Sequence, residues 1–151
     1  MFLSGEKILK AIKDNKISIS HFNKDNIKGA SYVFTLDSKV KTLKSKKYID
    51  SRVDPEFTEK NIGANGFLLK PGSFAIFYTK ESVKLNGNYV CILSTRPTIA
   101  QMGLDTNQGS IFCEPNTDNQ FALEIVNNGP IPVKMYSGTR IAIGVFSKLQ
   151  K

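Results

Sequence analysis

Near the start of the chain, Ile8, Leu9, Ala11 and Ile12 recur at helical spacing and fall on one face. Ser4 stands where an N-cap would, Glu6 suits the first turn, and Asn15 followed by Lys16 can end the helix. The period then changes. Ser18–Phe22 and Ser31–Leu36 have the branched and aromatic make-up of strands. Residues 44–65 are polar and irregular, with Pro55 and Gly63 among them, and read as a long loop.

From Gly66 onward the pattern is β. Phe67–Leu69 leads into Lys70-Pro71-Gly72-Ser73, whose Pro and Gly fit the two central places of a type II turn. Strands are predicted at Phe74–Thr79, Tyr89–Ser94, Phe121–Val126, Val133–Tyr136 and Arg140–Phe146. Thr98–Met102 reads as a short helix closed by Gly103, and Gly129-Pro130 and Ser137-Gly138 as turns. Many short strands with little helix argue for a sandwich or barrel. With no internal repeat or linker, residues 1–151 are expected to form a single domain.

Composition narrows the class. Hydrophobic residues are 40% and charged residues 23% of the 151, enough for a packed core. There is no 18-residue apolar run, so no membrane-spanning helix is expected. Met1–Ile8 lacks the basic start and apolar stretch of a signal peptide, and Cys91 and Cys113 are too few for a disulfide scaffold. A reduced, cytoplasmic setting is the expectation. The net charge is +8, with a lysine cluster over Lys39–Lys47. That cluster reads either as a phosphate-attracting stretch or as a solvated loop or edge strand. Only Tyr48 accompanies it, so nucleic-acid binding is not expected.

Chemistry-bearing residues are sparse. His21 is the single histidine, and no zinc-ligand spacing, catalytic triad or phosphate-cradling glycine motif is present. No metal site is expected. Glu124 is the odd residue: a carboxylate within Phe121-Ala122-Leu123-Glu124-Ile125-Val126. It is either an outward or salt-bridged strand residue or a general base whose pKa is set by burial. Arg96, beside Thr98 and a helix start, can hold phosphate oxygens or tie chain segments together by an ion pair.

Several strings resemble one family. Met1-Phe2-Leu3-Ser4 with Ile8–Ile12 is similar to the opening of dCTP deaminases. Gly29-Ala30-Ser31-Tyr32 before Phe34-Thr35-Leu36 resembles their first motif, and Gly66–Phe74 the entry to their central strands. Arg96-Pro97-Thr98-Ile99-Ala100-Gln101-Met102-Gly103-Leu104 sits where that family writes Arg-Ser-Ser-Leu-Ala-Arg-x-Gly-Leu. Leu123–Val133 and Ser137–Ile141 resemble its late strands and turn. The resemblance to the dCTP deaminase and dUTPase superfamily covers nearly the whole chain, in order. It implies a mainly β fold: a distorted β-barrel or jelly-roll of the dUTPase-like, β-clip type, with a short N-terminal helix. It further implies a homotrimer with active sites between subunits, each taking a deoxynucleoside triphosphate with Mg²⁺ and needing no other cofactor. In such a site Glu124 is the catalytic carboxylate that activates water at C4 of cytosine, and Arg96, Thr98, Gln101 and Glu114 bind the nucleotide.

The departures matter as much. Pro97 stands in place of a serine, Gln101 in place of an arginine, Val33 in place of an aspartate and Phe112 in place of an arginine. Glu114 takes the place of an aspartate, and Asn116 and Thr117 replace a glycine and an aromatic residue. Arg140–Lys151 stops at the end of the last strand, short of the family's closing tail. The expectation is therefore a catalytically lapsed homotrimer with a structural, assembly or regulatory role, able to join a larger protein assembly. The alternatives are an active dCTP deaminase or dUTP diphosphatase, and a deoxynucleotide sensor without turnover.

Overall fold

The computed structural model describes residues 1–150; Lys151, the end of the Arg140–Lys151 segment, lies outside the described residues. Helix α1 spans Gly5–Lys13. Ser4 caps it by accepting the Lys7 N–H, Ile8 and Ala11 are buried, and Asn15 leaves the helix at φ 54°. The predicted strand at Ser18–Phe22 is shorter, with β1 at Ile17–Ile19. His21 takes a φ of 49°, which turns the chain before an exposed Phe22.

The remaining strands are β2 (Tyr32–Leu43), β3 (Phe57–Asn61), β4 (Phe67–Leu69), β5 (Phe74–Leu85), β6 (Tyr89–Thr95), β7 (Leu104–Asp105), β8 (Phe112–Cys113), β9 (Asp118–Asn127), β10 (Val133–Met135) and β11 (Arg140–Lys148). A short helix, α2, covers Pro97–Ala100. The main sheet runs in the order β7-β9-β5-β2-β11-β6-β8, with β1 on β5 and β3 on β2; β10 and β4 pair separately. All pairings are antiparallel. Shifts of register in β2–β5, β5–β9 and β11–β2 bend the sheet, as bulges do. The mainly β, curled architecture with one short N-terminal helix is thus the one formed. Its core is built from alternate residues of the long strands: Phe34, Phe77, Leu123, Ile125, Ile141 and Phe146.

Two of the predicted boundaries are corrected as follows. The strand expected to stop at Thr79 continues to Leu85, because a bulge between Tyr78 and Ser82 carries Lys80-Glu81 through without exposing the inner row. Glu81 is 2% exposed, and its carboxylate accepts the Thr35 N–H at 3.0 Å and the Thr35 hydroxyl at 2.8 Å. Residues 44–65 are not all loop, since β3 pairs with β2 from Lys39↔Asn61 to Leu43↔Phe57. Residues 58–61 of β3 are exposed on both faces, so no alternation betrays it. Part of the lysine cluster is likewise strand: Lys39 and Lys41 lie 4.5 and 5.6 Å from the centroid of the Tyr78 ring. Lys44 and Lys46 both pair with Glu56. The Lys70–Ser73 turn forms as predicted, with Gly72 at φ 71° and the Ser73 N–H bonded to the Lys70 carbonyl.

Candidate functional site

Glu124 lies on β9 opposite Ile76 of β5, on the face away from buried Leu123 and Ile125. Alternation therefore placed it correctly, but it is neither freely solvated nor among the ion pairs. It is half-buried and one carboxylate oxygen, Oε2, is enclosed without a hydrogen-bond partner. Burial raises its pKa above the ordinary glutamate value, because the charged form loses water and the one bond from its own backbone N–H offsets only part of that loss. Glu124 opens onto a recess of about 320 Å³ whose wall includes Leu93, Phe112, Cys113, Glu114 and Gln120.

A second unfilled group lies on the segment that follows β7. β7 pairs with β9 at Asp105↔Val126, and just beyond, the Gln108 N–H reaches the Glu124 carbonyl at 3.3 Å. Asn107, between these contacts, is 6% exposed. Its side chain is set by a chain of hydroxyls. The Thr106 N–H donates to Thr95 Oγ1 at 3.0 Å, and the Thr106 hydroxyl donates to Asn107 Oδ1 at 2.8 Å. The 3.0 Å contact between the two threonine oxygens then takes its proton from Thr95. With Oδ1 fixed in this way, Asn107 Nδ2 is left buried and unpaired. Among the described residues, Asn107 Nδ2 and Glu124 Oε2 are the buried side-chain atoms with no partner. Each unfilled atom suits a bound polar group or water, since buried polar atoms are otherwise satisfied.

The other predicted residues divide. Glu114 joins Glu124 at the recess, exposed at its rim. Arg96, Thr98 and Gln101 do not line it; they lie on the α2 turn between β6 and β7, with Thr98 and Gln101 exposed and Arg96 half-buried. Arg96 makes no ion pair among the described residues. The expected helix begins one residue earlier, at Pro97, and closes through Gly103 at φ 83°. Few of its amides are free for an anion: Pro97 has none, and those of Ile99 and Ala100 bond the Arg96 carbonyl at 2.9 and 3.0 Å, which leaves the Thr98 N–H. An anion here would be met by the Arg96 guanidinium and by the hydroxyl and N–H of Thr98. Val33 is buried core, and Phe112 lies at the recess, 48% exposed.

Asn107 and the Cys91–Cys113 pair carry no signal in the linear sequence. Both are made by strand register, which brings Cys113 directly opposite Cys91. Among the described residues no group of three or more His, Cys, Asp or Glu side chains can hold a metal ion.

Comparison with known proteins converges. A family model described as dCTP deaminase-like matches residues 2–149. The chain is 29% identical over 156 residues to the dCTP deaminase, dUMP-forming, of Bifidobacterium adolescentis, covering 99% of this chain and 80% of that protein. It is 26% identical to the same-named protein of Hydrogenobaculum sp., covering 100% and 84%. The 2'-deoxycytidine 5'-triphosphate deaminase of Agrobacterium tumefaciens superposes with a TM-score of 0.75 at 16% identity, over 99% of this chain. This chain spans about half (48%) of that one. The dUTPase of Staphylococcus bacteriophage 80alpha with dUPNHPP superposes with a TM-score of 0.59 at 13% identity, covering 91% and 85%. These two likenesses establish the fold.

Proposed function

Because this chain belongs to the dCTP deaminase-like family, we propose that it takes a deoxycytidine nucleotide into the recess beside Glu124 and deaminates it slowly. The observation that carries this reading is the enclosed, unpartnered Oε2 of Glu124. A carboxylate whose pKa is raised by burial is a better base near neutral pH than a solvated one. It takes a proton from water as the oxygen attacks C4, then returns a proton to the leaving amine; water and the cytosine nucleotide become ammonia and the uracil nucleotide. Related proteins named dCTP deaminase, dUMP-forming, support the substrate class.

The recess alone is incomplete. Glu114 and Glu124 make it anionic, and a triphosphate needs cations. Arg96 is the available guanidinium of the α2 turn, and it is not part of the recess in the same chain. We infer a homo-oligomer in which the Arg96 turn of one copy completes the Glu124 recess of another, with Mg²⁺ bound to the phosphates. Low turnover follows from Pro97, Gln101 and Phe112, each in place of a polar or charged group. A single lost donor typically lowers rate by about 10²–10³, and such losses do not simply add.

Ammonia and dUTP release from dCTP with Mg²⁺ tests the reading. Measurable turnover that falls at least about 100-fold in Glu124→Gln supports it. No product from dCTP, or product unaffected by Glu124→Gln, overturns it. A second reading, a scaffold without turnover, is favoured by the loss of both hydroxyl and amide at Pro97 and of charge at Gln101. Calorimetry with dCTP and Mg²⁺ then separates a nucleotide sensor, which binds, from a structural protein, which does not.

A further inference from the structure

We propose that Cys91 and Cys113 form a dithiol that a peroxide converts reversibly to a disulfide in the wall of the Glu124 recess. The two residues are direct partners in the β6–β8 ladder. The neighbouring Leu93 N–H bonds the Ile111 carbonyl at 2.7 Å, and residues 91 and 113 lie two positions further along the same ladder. They are therefore a pair of the hydrogen-bonded type, with Cα atoms about 5.5 Å apart. That spacing lies within the roughly 4.4–6.8 Å that disulfides span. Directly opposed residues of an antiparallel pair project to one face, so no backbone rearrangement has to bring the sulfurs together. Both cysteines are free thiols in the structure.

The two thiols have unequal roles. Cys91 is fully buried, packed beneath Gly144 so closely that a Cβ at 144 would meet its Sγ at 2.9 Å. Cys113 is half-buried and lines the recess, so reagents reach it alone. Burial drives the Cys91 pKa up, while hydrogen bonding from Cys91 holds Cys113 below the ordinary thiol range. Cys113 is thus the attacking thiolate and Cys91 the resolving thiol.

The Cys113 sulfur attacks one peroxide oxygen, the O–O bond breaks, and the departing hydroxide is protonated to water. This leaves Cys113 as a sulfenic acid. The Cys91 sulfur then attacks the Cys113 sulfur, the S–O bond breaks, and the oxygen leaves as a second water with the Cys91 proton. Two thiols and one hydrogen peroxide give one disulfide and two waters, with two electrons passing to the peroxide. A small thiol reverses the step by exchange. The bond would tie two-residue β8, which pairs with β6 alone, to the body of the sheet, and with it Phe112 and Glu114 on either side.

The test is mass spectrometry of the full chain exposed to hydrogen peroxide, followed by peptide mapping without reductant. Expected is a loss of about 2 Da, a Cys91–Cys113 cross-linked peptide, and full recovery with dithiothreitol. In Cys91→Ala the Cys113 sulfenic acid should persist and be trapped by dimedone; Cys113→Ser should leave Cys91 unmodified. A wild-type chain that keeps both thiols under peroxide, or that cross-links only between chains, overturns the proposal. So does equal labelling of Cys91 in Cys113→Ser. The readout is a bond rather than an activity, so the inference stands or falls separately from nucleotide turnover.

Discussion

At the level of single residues, Glu124 links stability to function. Its carboxyl titrates above the ordinary value of 4.5 because burial disfavours the charge. Between 4.5 and that raised value the folded chain keeps a proton that the unfolded chain has released. Stability from this group is therefore intact below 4.5, declines as pH rises through the folded value, and stays reduced above it. Gln at this position cannot ionise. Thermal melts of wild type and Glu124→Gln across acid to neutral pH should show the variant gaining relative Tm as pH rises, then levelling off. A pH-independent difference would mean that Glu124 is solvated in the folded chain. Its position was legible from one carboxylate in an apolar strand. Its lack of a partner was not, because that depends on which side chains the fold brings to Oε2.

At the level of elements, the predicted pattern holds where one face is buried and fails where both faces are polar or a bulge intervenes. β9 and β11 are seen readily because Phe121, Leu123 and Ile125, and Ile141 with Phe146, stand out from their neighbours. β3 goes unseen because its pairing with β2 is a backbone matter, with Lys39–Glu59 the lone ion pair across it at 3.8 Å. The far half of β5 goes unseen because Glu81 reads as surface although it is core. Removing that carboxylate in Glu81→Ala leaves a buried N–H and hydroxyl of Thr35 without an acceptor. Chemical denaturation should then show a loss on the order of 3 kcal/mol. Little change would mean that water replaces the carboxylate. Close packing gives a second check at Gly144, where a Cβ would meet Phe34 Cε2 at 2.5 Å and Cys91 Sγ at 2.9 Å. Gly144→Ala should destabilise by about 1–3 kcal/mol, as overpacking does.

At the level of the whole molecule, the fold brings Glu114 to Glu124 but leaves Arg96, Thr98 and Gln101 on a separate turn. The linear sequence holds both sets of residues without saying that one chain keeps them apart. The exposed apolar side chains Met102 and Ile131 lie with Gln101 around a second, shallow recess, so the α2 turn sits in a surface suited to being covered by another copy. If sites form between copies, two dead variants can rescue each other. Arg96→Ala lacks the guanidinium and Glu124→Gln lacks the base, and each alone should be nearly inactive toward dCTP. Mixed in equal amounts, unfolded and refolded together, they assemble at random in a cyclic oligomer. About a quarter of the sites then draw an intact Arg96 from one variant and an intact Glu124 from the other, so turnover should return to roughly a quarter of wild type. A site contained in one chain would recover nothing, because no single chain in the mixture carries both residues. Recovery near that fraction would also exclude a direct dependence of Glu124 on its own Arg96.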